Sequence, residues 1–173
     1  MIKIVLTGPE STGKSTLAKQ LAKHFEASVV PEFARYFINN LDREYVESDL
    51  LEIAKGQLDY ELHQSLLTDA ILICDTDLMT IKIWSEYKYG RCDPQILKWI
   101  EQQKYDHYLL CGTDVDWQFD LQRENPAQRI ELYEIYKKQL KIYKKQFTEI
   151  SGSKNQRFQK AIKLIDSIIK NNV

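Results

Sequence analysis

Residues Gly8 to Ser15 read G-P-E-S-T-G-K-S and fit G-x-x-x-x-G-K-[ST], a spacing that gathers the groups needed to hold a polyphosphate. The glycines let the backbone curl so that successive N–H groups point at phosphate oxygens. Lys14 can then reach the β and γ phosphates, and the Ser15 hydroxyl can ligate Mg²⁺. A helix opening at this loop adds positive potential from its N-terminus. The apolar run Ile2–Leu6 precedes the loop and a helical pattern follows it, so a chance match in an exposed turn is the weaker reading. Gly8, Glu10, Ser11, Thr12, Gly13, Lys14, Ser15 and Thr16 are therefore expected to bind a nucleoside triphosphate, ATP or GTP.

Other residues capable of chemistry follow the later apolar runs. Ile71-Leu72-Ile73-Cys74-Asp75 has the shape of a strand ending in an acid that holds Mg²⁺ directly or through water, and Asp77 stands two residues on. Glu32, in Pro31-Glu32-Phe33-Ala34-Arg35-Tyr36, has two readings. It can accept the proton of an attacking hydroxyl, or it can be a helix N-terminal acid that satisfies the dipole of Phe33–Leu41. Arg35 could pair with Glu32 or, like Tyr36, meet a substrate. Which of Glu32, Asp75 and Asp77 takes a proton is left open by the sequence.

Residues Asp114 to Asp120 carry three acids and two aromatics but no base. An anionic acceptor such as a nucleoside monophosphate would call for Arg or Lys there. The composition suits a neutral or cationic ring instead, stacked on Trp117 or Phe119 and flanked by carboxylates such as Asp114. Trp84, Glu86, Tyr87 and Tyr89 have the same character, although any one of these aromatics taken alone is more readily a cap on the core than a ligand contact. Arg123 and Arg129 fall where a lid, roughly residues 112–129, could close over the triphosphate, neutralise developing charge and exclude water.

The elements that must position these residues follow from periodicity. Apolar runs at Ile2–Leu6, Ser28–Val30, Ala70–Asp75, His107–Cys111 and Phe147–Ile150 read as buried strands. They alternate with helical patterns at Lys14–Phe25, Ser48–Leu67, Asp77–Tyr87, Pro94–Gln103, Pro126–Lys145 and Ser153–Lys170. This alternation predicts an α/β fold with a parallel sheet of five strands covered on both faces. Ligands of such a sheet gather outside the carboxyl ends of the strands, where the residues above lie. In the second long helix the stripe Leu51, Ala54, Leu58, Leu62 and Leu66 is expected to face the core.

A chain of 173 residues fits a single domain over 1–173. With a net charge of −1 it has no overall field to attract nucleic acid or an anionic membrane. No apolar stretch approaches the roughly 20 residues of a membrane span, and no leader precedes the first strand, so a cytoplasmic protein is expected. Cys74, Cys92 and Cys111 are widely spaced, and His24, His63 and His107 lack ligand spacing, so all six read as structural or solvated.

Several segments together resemble one family: G-P-E-S-T-G-K-S-T-L-A at Gly8–Ala18, P-E-F-A-R-Y at Pro31–Tyr36, D-L-x-x-I-A-x-G-Q at Asp49–Gln57, I-C-D-T-D-L at Ile73–Leu78 and K-I-W-S-E at Lys82–Glu86. They resemble the bacterial ribosylnicotinamide kinases, the kinase part of NadR-type NAD-biosynthesis proteins. The resemblance implies a P-loop NTPase fold and transfer of the γ-phosphoryl of ATP, with Mg²⁺, to the 5′-hydroxyl of nicotinamide riboside. The pyridinium cation of that nucleoside agrees with an acidic, aromatic lid. Family members often carry an adenylyl-transfer domain and sometimes a DNA-binding domain ahead of the kinase; this chain starts at the kinase strand, so neither function is carried over. Thr113 and Asp116 stand where lid prolines are expected, which predicts a looser lid. A kinase for another nucleoside or vitamin-like alcohol, and an ATP-binding switch without a metabolite acceptor, are the alternatives.

Overall fold

The structure is a computed structural model that describes residues 1–68, 70–118 and 127–171. Five strands, β1 (Ile2–Thr7), β2 (Ser28–Val30), β3 (Ile71–Asp75), β4 (His107–Cys111) and β5 (Phe147–Ile150), form one parallel sheet in the order β2-β3-β1-β4-β5. The helices are α1 (Lys14–Phe25), α2 (Phe33–Asn39), α3 (Asp49–Ser65), α4 (Leu78–Tyr89), α5 (Pro94–Gln102), α6 (Arg129–Ile142) and α7 (Lys154–Asn171).

Side-chain alternation along each strand divides the core between the two faces of the sheet. Ile4, Leu6, Ile71, Ile73, Leu109 and Cys111 pack with Leu17, Leu21, Ala161 and Ile165 of α1 and α7. Val5, Leu72, Cys74, Tyr108 and Leu110 pack with Leu50, Ile53, Leu78, Ile83, Ile96 and Tyr136 of α3 to α6. Strands buried on both faces read as continuous apolar runs, which is why the sequence marks them well.

One helix departs from its expected face. In α3 the buried residues include Leu50, Ile53, Ala54, Gln57 and Glu61, whereas Leu62 and Leu66 are 61 % and 77 % exposed. The polar members of the buried face have distant partners. Glu61 accepts from Lys3 Nζ at 2.8 Å and from Tyr105 Oη at 2.6 Å, and Gln57 Oε1 accepts from the Phe33 N–H at 2.9 Å. Gly56 permits the α2–α3 packing that goes with this, because a Cβ there would meet the Phe33 ring at 2.1 Å.

The order of strands decides how the site is divided. Parallel strands end at one edge, so the loops after all five open on the same side. The loops after β2 and β3 lie on one flank of the β1 loop, and those after β4 and β5 on the other.

Candidate functional site

A cavity of about 820 Å³ occupies this edge. Its floor is the Gly8–Thr16 loop between β1 and α1. Gly8 has φ +130°, and a Cβ on it would come within 2.7 Å of the Cys111 carbonyl oxygen, so only glycine lets the loop leave the sheet beside β4. Ser11 adopts φ 54° and Gly13 φ 77°, the left-handed steps that curl the loop before α1 opens at Lys14. Lys14 Nζ spans the curl, donating to the Gly8 carbonyl at 2.9 Å and the Pro9 carbonyl at 2.6 Å.

The β2–β3 flank is lined by Glu32, Arg35, Ile38, Thr76, Thr80 and Trp84, with Tyr136 of α6 beneath. Glu32 occupies the N-cap position of α2, yet its side chain makes no capping bond. Gln57 caps in its place, through the Phe33 N–H and the Pro31 carbonyl. The helix-cap reading of Glu32 therefore gives way to a carboxylate that faces the cavity. Burial raises its pKa above the ordinary carboxylate range; Lys14 opposes this, Asp75 adds to it, Arg35 opposes and Glu10 adds. Arg35 Nε approaches Glu32 Oε2 only to 4.0 Å and its side chain is 45 % exposed, so this pair contributes little.

Asp75 ends β3 opposite Leu6 of β1, which places it beside the loop. It is 6 % exposed, and its Oδ1 has no hydrogen-bond partner among the described residues. A buried carboxylate oxygen with no hydrogen-bond partner fits a cation-holding role. With Ser15 in the cavity floor, Asp75 could hold Mg²⁺, a metal that usually takes one or two protein groups and completes its shell with phosphates and water. Thr76 follows with φ 74°, a strained conformation for a β-branched residue, while its N–H donates to the Leu6 carbonyl at 3.0 Å.

Two walls of this flank are tied together from behind. Lys82 of α4, 5 % exposed, donates to Glu86 Oε2 at 2.6 Å and to Gln139 Oε1 of α6 at 3.0 Å. This fixes α4, which carries Thr80 and Trp84, against α6, which carries Tyr136. Burial pushes the Tyr136 phenol far up, so it stands in the cavity as a neutral hydroxyl.

The β4–β5 flank is lined by Asp114, Val115, Asp116, Gln118, Gly152, Ser153, Lys154 and Arg157. Asp114 is not presented to a ligand from the β2–β3 side. Its carboxylate takes the Arg157 guanidinium and the Gly152 N–H, joining the loops after β4 and β5. Burial alone would raise its pKa, but the Gly152 N–H and Arg157 together hold it below the ordinary range. Sheet order therefore puts Asp114–Gln118 on the opposite flank of the cavity from Glu32 and Trp84.

Other expected residues fall elsewhere. Asp77 is 2 % exposed and accepts from Tyr108 Oη at 2.8 Å, within the core rather than on the cavity wall. Tyr36 is 57 % exposed and packs on Phe33, outside the cavity. Trp117 stacks with Arg129, whose guanidinium carbon lies 5.7 Å from the ring centroid. Arg129 itself donates to the carbonyls of Ser11, Thr113 and Val115. Phe119, Asp120 and Arg123 lie outside the described residues.

The sequence reading missed Arg157, Tyr136, Thr80 and the Gly152–Lys154 loop. A signal was present for the loop: the rule that ligands gather beyond strand ends points to the residues after β5 as much as to those after β2 to β4.

A phosphate loop at the end of a central parallel strand, an acid ending the neighbouring strand and helices on both faces define a P-loop nucleotide-binding domain. A family model described as an AAA domain matches residues 3–157, and the chain belongs to that family. It is 27 % identical over 121 residues to the "Trifunctional NAD biosynthesis/regulator protein NadR" of Escherichia coli (strain K12), and equally to that of Salmonella typhimurium; the match covers 68 % of this chain and 30 % of the relatives. The chain thus spans about a third of the length of the curated relatives it matches. Among solved structures, a NadR protein in complex with NR superposes with a TM-score of 0.81 at 19 % identity, over 96 % of this chain and 50 % of that one. A thymidylate kinase from Ehrlichia chaffeensis gives 0.68 at 14 % identity, over 95 % and 98 %. The resemblance to NadR read from the motifs is borne out, and the fold is that of nucleoside and nucleotide kinases. Among the described residues no helix is long and apolar enough to cross a membrane.

Proposed function

We propose that this domain transfers the γ-phosphoryl group of ATP to the 5′-hydroxyl of nicotinamide riboside. The observation that carries the reading is Glu32: a buried carboxylate, relieved of capping by Gln57, that faces Lys14 across the cavity with Trp84 on the same flank. Its raised pKa makes it a better proton acceptor for an alcohol than an ordinary surface carboxylate. Trp84 offers a ring face, and a pyridinium cation between such a face and a carboxylate suits both. The relatives support the same assignment, since one is named for NAD biosynthesis and NadR structures hold NR in one case and NAD with AMP-PNP in another.

In this reading the loop and Lys14 hold the triphosphate and Glu32 receives the hydroxyl proton. Asp75 and Ser15 would hold Mg²⁺, which when bound draws charge from the phosphates. Arg123 would belong to the closing lid. Of the acids in the sequence reading, Glu32 lies on the flank of Trp84, whereas Asp114 is committed to Arg157 on the other.

The test is incubation of the purified protein with Mg-ATP and nicotinamide riboside, with thymidine and deoxyadenosine as competing acceptors, followed by separation of the products. Formation of nicotinamide mononucleotide in preference to the other nucleotides is expected. Turnover only with another nucleoside would remove the acceptor assignment. ATP hydrolysis that no nucleoside stimulates would remove the kinase reading.

A further inference from the structure

Two arginines that the phosphotransfer reading does not use approach the phosphate loop from the β4–β5 flank. Arg157, near the start of α7, is 4 % exposed. Its Nη1 donates to the Thr12 carbonyl at 2.8 Å, its Nε to the Gly152 carbonyl at 2.9 Å, and its Nη2 to the Gly112 carbonyl at 3.1 Å and to Asp114. Arg129, the first residue of α6, donates through Nη2 to the Ser11 carbonyl at 3.1 Å, the Thr113 carbonyl at 3.2 Å and the Val115 carbonyl at 2.9 Å. The two side chains thus hold consecutive carbonyls of the loop, Ser11 and Thr12.

We propose that Arg129 and Arg157 are positioning residues that preset the phosphate-binding N–H groups of the loop by holding the Ser11 and Thr12 carbonyls. The geometry follows from peptide planarity. In a trans peptide the N–H points opposite to the preceding C=O, and no cis peptide is present among the described residues. Turning the Ser11 and Thr12 carbonyls toward the arginines turns the Thr12 and Gly13 N–H groups away from them. Ser11 at φ 54° and Gly13 at φ 77° flank this pair, so without an external hold these peptide planes could rotate at small cost. Thr12 Oγ1, donating to the Pro9 carbonyl at 2.9 Å, secures the other side of the curl. Donors oriented before the ligand arrives need no reorganisation when it binds.

Each arginine also pins a neighbouring loop: Gly112, Asp114 and Gly152 through Arg157, and Thr113 and Val115 through Arg129. The loops after β1, β4 and β5 therefore share one set of guanidinium bonds. A lysine cannot do the same, because its three donors radiate from a point charge rather than forming a planar fork. The inference rests on the loop as a triphosphate site and is independent of the identity of the acceptor.

The experiment measures binding of ATP, ADP and AMP to wild type, Arg157→Lys and Arg129→Lys, by displacement of a fluorescent ATP analogue, with circular dichroism to establish folding. Charge is preserved in both variants, so only directed hydrogen bonding is removed. The affinity ratio of ATP to AMP is expected to fall about tenfold or more, the scale of a charge-assisted hydrogen bond, while AMP binding changes little. General damage to the fold weakens all three nucleotides alike and leaves the ratio unchanged, and that outcome would overturn the proposal. If Arg157→Lys does not fold, the ratio in Arg129→Lys decides. An unchanged ratio with nucleotide binding intact refutes preorganisation but leaves the kinase reading in place, whereas loss of acceptor turnover in wild type does the reverse.

Discussion

Asp77 offers a quantitative test of how the turn after β3 is built. Its carboxyl is 2 % exposed, and burial raises its pKa from an ordinary 3.8 to about 6 despite the Tyr108 hydroxyl bound to Oδ2 and the favourable field of Lys145; Glu61 adds to the rise. The fold therefore prefers the protonated acid. The stability this confers is complete below pH 3.8 and is lost as pH rises through about 6. The interval from 3.8 to about 6, at 1.36 kcal/mol per pH unit, amounts to about 3 kcal/mol in full and to about 2 kcal/mol between pH 4.5 and 7.5.

Asp77→Asn removes the titration and keeps an oxygen for Tyr108. Its other consequence, an amide nitrogen where Oδ1 has no partner, is the same at every pH and cancels in a comparison across pH. Urea unfolding of wild type and variant at pH 4.5 and 7.5 should show wild type losing about 2 kcal/mol relative to the variant as pH rises. A difference that is independent of pH, or that runs the other way, would refute the assignment of Asp77 as a buried acid with a raised pKa. The same variant should keep turnover within a few-fold of wild type. A loss of roughly 10²-fold or more would return Asp77 to the role of base.

Glu32→Gln and Asp75→Asn should each lower turnover roughly 10²-fold or more with little change in nucleotide affinity for Glu32→Gln; near-normal rates would make both residues structural. Gly8→Ala forces a Cβ to 2.7 Å from the Cys111 carbonyl oxygen at φ +130°, and should cost on the order of 1–3 kcal/mol in thermal or urea unfolding together with measurable loss of ATP binding. Tyr36→Ala, at a residue 57 % exposed and outside the cavity, should leave the KM for the acceptor within about twofold; a large rise would bring Tyr36 back to the substrate.

The sheet was legible because its strands are buried on both faces and so are written as unbroken apolar runs between helical periods. The face of α3 was not. A hydrophobic template prefers Leu62 and Leu66, yet the buried positions are Gln57 and Glu61, made tolerable by the Phe33 N–H, Lys3 and Tyr105. Partners tens of residues away leave no local trace in a sequence. Asp75 and Asp77 show the same limit. Both follow an apolar run, but the left-handed turn at Thr76 leaves one beside the phosphate loop and directs the other to Tyr108. Arg157 was invisible for a related reason, since one arginine in a lysine-rich final helix carries no mark of the carbonyls it will meet.

Strand order is the step at which composition ceases to decide the site. The acids and aromatics of Asp114–Asp120 look like an acceptor pocket when read as a string, but β4 and β5 stand across β1 from β2 and β3. Asp114 therefore spends its charge on Arg157 and the β5 loop, and Trp117 its ring on Arg129. In the proposed reaction, selection of the acceptor would fall to a smaller group on the other flank: Glu32, freed by Gln57, and Trp84 and Tyr136, held in register by Lys82 and Gln139. The two flanks face one cavity whose floor is the phosphate loop. In the proposed reaction an acceptor hydroxyl at Glu32 and a triphosphate in the loop would both lie near Lys14, whose charge already acts on Glu32.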